Sequence, residues 1–138
     1  MASIEREVER GLLNAVSGVT GVNPYTSERG VARTLPSLVA QAQLSSELLG
    51  PFTGLFSVPA TLTYTARADG NTKQAFDQKF QSIVAQLYRD PDLASYMTNV
   101  TSVSVYVAKI TGESPQIIAK NRTWARQVTL DINATAKQ

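Results

Sequence analysis

Apolar and polar residues along this chain repeat with two periods, and each period marks an element. From Leu55 to about Ala68, one side of an extended chain carries Val58, Ala60, Leu62, Tyr64 and Ala66. The other side carries Ser57, Thr61, Thr63, Thr65 and Arg67. A period of two predicts a strand with one face in a core. Pro59 lacks a ladder donor and argues for a bulge, or for an edge at that end of the strand. After a turn at Asp69-Gly70-Asn71 the period lengthens, and Phe76, Phe80, Ile83, Val84 and Leu87 recur at helical spacing. A helix from Thr72 to about Tyr88 is expected, opened by the capping-box-like Asn71-x-x-Gln74 and packed on a sheet by its apolar stripe.

The same reading divides the rest of the chain. Ile4, Val8, Leu12, Leu13 and Val16 predict an N-terminal helix after the N-cap candidate Ser3, ended by Gly18, Gly21 and Pro24. Glu5, Arg6, Glu7, Glu9 and Arg10 lie off its stripe and read as a solvated face. Ser17 to Thr34 follows as a long irregular connection. Leu38 to Leu44, introduced by Pro36, alternates as a strand. Asp90 caps a short turn begun by Pro91. Val100 to Ile110 and Arg122 to Ala136 predict two final strands, joined by a protruding loop from Thr111 to Asn121. On the last strand Trp124, Val128, Leu130, Ile132 and Ala134 share a face.

The expected order is therefore α-β-β-α-β-β, in one domain spanning residues 1–138. It describes an α+β fold: a mainly antiparallel sheet of four strands, or slightly more, with two helices packed on one face.

Composition narrows the chemistry. The chain has no cysteine and no histidine, which excludes disulfides, thiolate chemistry, Ser-His-Asp triads and most zinc or iron sites. Carboxylate pairs remain, with Asp69, Asp77, Asp90, Asp92 and Asp131 as candidates, but Asp69 and Asp90 read as turn and cap residues, and Asp131 has no evident partner. Phosphate-loop, dinucleotide, zinc-protease and nucleophile-elbow motifs are all lacking. No catalytic, cofactor or metal site is expected. The net charge is +2, with basic residues scattered. The densest group is Lys120, Arg122 and Arg126, with Lys109 set beside them across a hairpin. That is too sparse for the basic stripe of a nucleic-acid binder. The N-terminal "MASIEREVERGLL" carries charge where a secretion signal needs an apolar core, and no apolar run approaches the ~18 residues of a spanning helix. The protein is expected to be made in a cytoplasm, without membrane partners.

Two of the predicted strands share an outer face rich in Thr, Ser, Asn and Gln and poor in Lys and Glu. A face open only to water usually carries more long charged side chains, whereas threonine pairs well across strands and subunits. Thr61, Thr63 and Thr65 are therefore candidates for a protein interface. Arg29 and Arg33, in the long connection, and Lys120 and Arg122, by the late loop, are candidate charged contacts.

The order of elements also carries a resemblance. "IEREVERGLLNAV" leads to "TLPSLVAQA"; "LFSVPATLTYTARAD" passes directly into "NTKQAFDQKFQSIVAQLY"; and a hairpin closes on "ARQVTLDINATA". Over nearly its whole length the chain resembles, in pattern and length, the tail terminator and tail-completion (neck) proteins of tailed bacteriophages. The resemblance implies a virion protein forming a homo-oligomeric, hexameric ring. Such a ring caps the tail tube, stops its growth and meets the head connector, with nucleic acid present only as DNA passing through the lumen. The alternatives in the same setting are another head–tail connector protein or a tail tube subunit, the latter needing more strands than the four counted. The alternative of a different class is a small non-catalytic ligand-binding or dimeric module. Aromatics lining a concavity would mark it, and Tyr25, Tyr106 and Trp124 are the ones left over.

Overall fold

The computed structural model describes residues 4–26, 36–47, 54–67, 73–88, 92–113, 117–119 and 123–136. Helix α1 spans Ile4–Ala15, followed by strands β1 (Asn23–Thr26), β2 (Ser37–Ala42), β3 (Ser46–Glu47), β4 (Leu55–Ser57) and β5 (Ala60–Arg67). Helices α2 (Lys73–Leu87) and α3 (Leu93–Val100) come next, then β6 (Val103–Glu113), β7 (Ile117–Ala119) and β8 (Thr123–Ala136).

The architecture is α+β, but the expected order α-β-β-α-β-β and its four-strand, two-helix plan are overturned. Among the described residues eight strands form one sheet, and one pair, β1 with β2, is parallel. The third helix is α3, capped by the carboxylate of Asp92, which accepts from the Ser95 amide at 2.7 Å. The cap expected at Asp90 lies outside the described residues. Because α3 runs through Val100, β6 begins at Val103 and not at Val100.

The sheet is built around β8, whose 14 residues give it two neighbours on each side. On one side it pairs antiparallel with β5 and then β4; on the other with β7 and then β6. β4 and β5 keep one register against β8, since Ser57 faces Asn133 and Ala60 faces Leu130. Between them the Val58 amide donates to the Ile132 carbonyl at 2.7 Å. Pro59 thus interrupts a central strand with neither a register shift against β8 nor an edge. It is tolerated because its ring faces the neighbouring strand where that strand is itself broken, between β2 and β3, and its carbonyl still accepts from the Gln43 amide.

All three helices contribute to one core on one face of this sheet. From β5 and β8 it takes Ala60, Leu62, Tyr64, Ala66, Val128, Leu130, Ile132 and Ala134, and from α2 Phe76, Phe80, Ile83, Val84 and Leu87. Phe76 stacks on Tyr64 at 5.0 Å and meets Trp124 edge-on at 5.6 Å. Arg126, of the same parity as Trp124, lies over the Phe80 ring at 4.3 Å and reaches Asp77 at 3.5 Å. The apolar stripe of β8 therefore includes an arginine, whose long stem covers aromatic surface while its head stays at the rim.

Helix α1 departs furthest from its expected environment. Glu7 and Glu9 are not solvated: they are 3% and 2% exposed. The Glu9 carboxylate accepts from the Ala42 amide at 2.9 Å, where β2 ends. Glu7 accepts from the Ser102 amide and hydroxyl, both at 2.9 Å, and from Arg10. One turn beyond Glu7 sits Gly11, against which α3 packs so closely that an added Cβ would lie 2.8 Å from Thr101 Cγ2 and 3.2 Å from Met97 Cε. The Tyr96 hydroxyl donates to the Asn14 side chain across the same contact.

Candidate functional site

The strongest candidate is the sheet face turned away from the helices. Antiparallel pairing sets residues of like parity side by side, so the registers define this face. Thr61 faces Gln41 and Thr129, Thr63 faces Val39 and Gln127, and Thr65 faces Ala125. Asn133 and Thr135 continue the row along β8, and Asp131 faces Lys109 on β6. The core takes no residue from the odd positions of β2, β5 or β8. Thr61, Thr63 and Thr65 are half-buried, shaded by one another and by their cross-strand neighbours. The Thr63 hydroxyl lies 3.4 Å from Gln127 Oε1.

The structure thus assembles the threonine row expected from the sequence into a wider neutral patch across β2, β5 and β8. Charges on this face stand at its margins: Arg67 at the end of β5, opposite Thr123, and Lys109 with Asp131 toward the β6 side. Between these charges the patch is neutral and dense in hydroxyls and amides that can donate or accept.

The other expected contacts fare differently. Arg29, Arg33, Lys120 and Arg122 lie outside the described residues. Of the basic group expected around Arg126, the two described members lie on opposite faces: Lys109 is on the open face opposite Asp131, whereas Arg126 turns to the helix side. The protruding loop from Thr111 to Asn121 is largely replaced by sheet, because β6 runs to Glu113 and β7 pairs with Ala125, Trp124 and Thr123. Within the long connection after α1, Asn23–Thr26 pairs as β1, and Asn23 donates through both its amide and side chain to the Pro36 carbonyl.

Burial acts on few ionisable groups. Burial pushes the Glu7 carboxyl up, but its hydrogen bonds from Ser102 and the charge of Arg10 outweigh this and hold it below its ordinary 4.5. Hydrogen bonding from Ser95 likewise lowers Asp92. Both are structural clamps. Among the described residues, no group of three or more acidic side chains converges as a metal site. A cavity of about 800 Å³ between α1 and β1 is lined by Arg10, Leu13, Val16, Val22, Tyr25 and Leu38, with Arg10 already tied to Glu7. Trp124 is packed against Phe76 and Tyr106 stands 64% exposed on β6, so Tyr25 alone of the three leftover aromatics lines that cavity. No described helix is long and apolar enough to cross a membrane.

Compared with known proteins, the chain matches no family model and no curated protein. The site's chemistry has to speak for itself.

The sequence missed several of these features for identifiable reasons. Glu7 and Glu9 carry the residue type of a wet helix face, and only the position of Ala42 and Ser102 makes them internal. Arg126 hides in an apolar alternation because a charge there breaks the pattern it belongs to. The NPYT of β1 reads as a turn, and a parallel partner from the next strand overrides that preference.

Proposed function

We propose that this protein is a structural, non-catalytic component of a tailed-phage virion, acting as a ring at the end of the tail tube in the manner of a tail terminator. The observation that carries the reading is the neutral open face. Thr61, Thr63, Thr65, Gln127 and Thr129 form a broad patch that can be covered without desolvating a charge, provided a partner meets its hydroxyls and amides, for which it has ample hydrogen-bonding capacity. The phage setting rests on the likeness of the quoted sequence segments in pattern and length, and no longer on the expected element order, which the observed order replaces. The partners on this reading are further copies of the chain, the tail tube and the head connector.

Two alternatives keep specific support. A tail tube subunit needs more than four strands to close a barrel, and the eight described strands of one sheet are compatible with that need. A small ligand-binding module is supported by the cavity beside Tyr25.

Negative-stain images of the concentrated protein separate the three. The terminator reading predicts discrete single rings; stacked, growing tubes would favour the tube subunit, and featureless monomers the binding module.

A further inference from the structure

A ring of identical copies joined head to tail needs two different surfaces on each copy, and the open sheet face is only one of them. The sheet edges at β1 and β6 are poor candidates for the second. At the β1 edge the Asn23 amide is taken by the Pro36 carbonyl, so Pro24 faces outward and has no donor. At the β6 edge, Val103 and Val105 have backbone groups already bonded to the hydroxyls of Thr101 and Thr98. Beyond them, bulges follow Val105 and Ile110, and Lys109 stands exposed. Prolines, bulges and lysines are the devices that keep sheet edges from pairing.

The outer side of α2 is different. Gln74, Gln78, Gln81 and Ala85 form an exposed stripe, with Ser82 beside it. The charged residues described near it are engaged: Asp77 meets Arg126, and Lys79 donates to the Thr20 carbonyl at 2.9 Å. The exposed side of α1, by contrast, carries Arg6 and Arg10. A helix side turned to water normally carries charge, so an uncharged amide stripe calls for another explanation. Because α2 packs by Phe76 and Phe80 onto the inner sheet face, this stripe and the threonine face lie on opposite sides of a two-layer molecule.

We infer that the open sheet face of one copy receives the outer stripe of α2 from the next copy. The inference rests on the ring reading and names its subunit contact. Both surfaces are neutral at their centres, around Thr61 and Thr63 on one and Gln78 and Gln81 on the other. Arg67 stands at the margin of the first, and Asp77, beside the second, is already paired with Arg126. Each centre can satisfy the other without burying an unpaired charge. Their opposite placement gives a contact that repeats head to tail. The size of the stripe fits a ring better than a pair. The 15 residues of α2 span about 22 Å. A strip that long and about one helix wide falls short of the ~800 Å² per partner of a standard stable interface. A single contact does not hold a dimer; a closed ring gives every copy two.

The absence of cysteine makes the test clean. Thr63→Cys and Gln78→Cys variants, each checked for wild-type circular dichroism, are treated with a bismaleimide crosslinker at ring-forming concentration. Each variant alone is expected to stay uncrosslinked, their mixture to give dimers, and the double variant to give a ladder ending at the ring. Thr61→Cys with Gln81→Cys should repeat the pattern. Self-crosslinking of either single variant would show a two-fold contact and overturn the inference. Visible rings without any Thr63–Gln78 or Thr61–Gln81 crosslink would overturn it while leaving the ring reading standing. No rings and no crosslinks at any concentration would overturn both.

Discussion

At the scale of single residues, two positions on α1 decide how the helix layer is held. Glu7 is buried with a depressed pKa, so its contribution is present above the ordinary value near 4.5 and is lost as pH falls through its lowered folded value. Glu7→Gln should cost about 1–3 kcal/mol at pH 7, the range for a buried hydrogen-bonded charge. That deficit should shrink steadily below pH 4.5. Urea midpoints at pH 7 and pH 3 measure it, and a pH-independent deficit would remove the charge from the account. Gly11 is the second position. Its substitution by valine drives a side chain into Thr101, whose hydroxyl is fixed to the Met97 carbonyl at 2.6 Å and cannot swing away. Overpacking of this kind costs about 1–3 kcal/mol, so Gly11→Val should lower the thermal midpoint by several degrees. An unchanged midpoint would mean that α1 and α3 are not in close contact.

At the scale of elements, α3 and the start of β6 behave as one unit. The Thr98 hydroxyl donates to the Ala94 carbonyl at 2.9 Å and accepts from the Val105 amide at 2.9 Å, tying the helix to the strand it precedes. Thr98→Val keeps the shape and removes both bonds. A loss of about 1 kcal/mol is expected, with faster amide exchange at Val105 than at the β8 residues beside it. Unaltered exchange at Val105 would show that the hydroxyl is dispensable. Element by element, the sequence disclosed what periodicity can disclose. The stripe of Phe76, Phe80, Ile83 and Leu87 and the alternation through Leu62, Tyr64, Val128 and Leu130 are buried as expected, because burial of one face is what writes such a pattern. Short or composite elements left weaker marks. The eight residues of α3 are too few for a clear stripe, β7 has only three residues, and β1 owes its strand state to a partner rather than to its own residues. The threonine row was legible in advance. Its extension across β2 and β8 depended on registers that no single strand encodes.

At the scale of the whole molecule, a two-layer domain presents a neutral sheet on one side and a neutral helix stripe on the other, with guarded edges between them. Charge introduced on the open face should separate assembly from folding. Thr63 points away from the core, so Thr63→Arg should change the thermal midpoint little. Its effect should fall on association, which would weaken tenfold or more. The measurement that tests this most directly is solution mass by light scattering across a concentration series, wild type beside Thr63→Arg. The account predicts that wild type passes from monomer to a ring of several copies without a stable dimer, while the variant remains monomeric at the same concentrations. A wild-type chain that stays monomeric or forms a fixed dimer throughout, or a variant that assembles as readily as wild type, would contradict it.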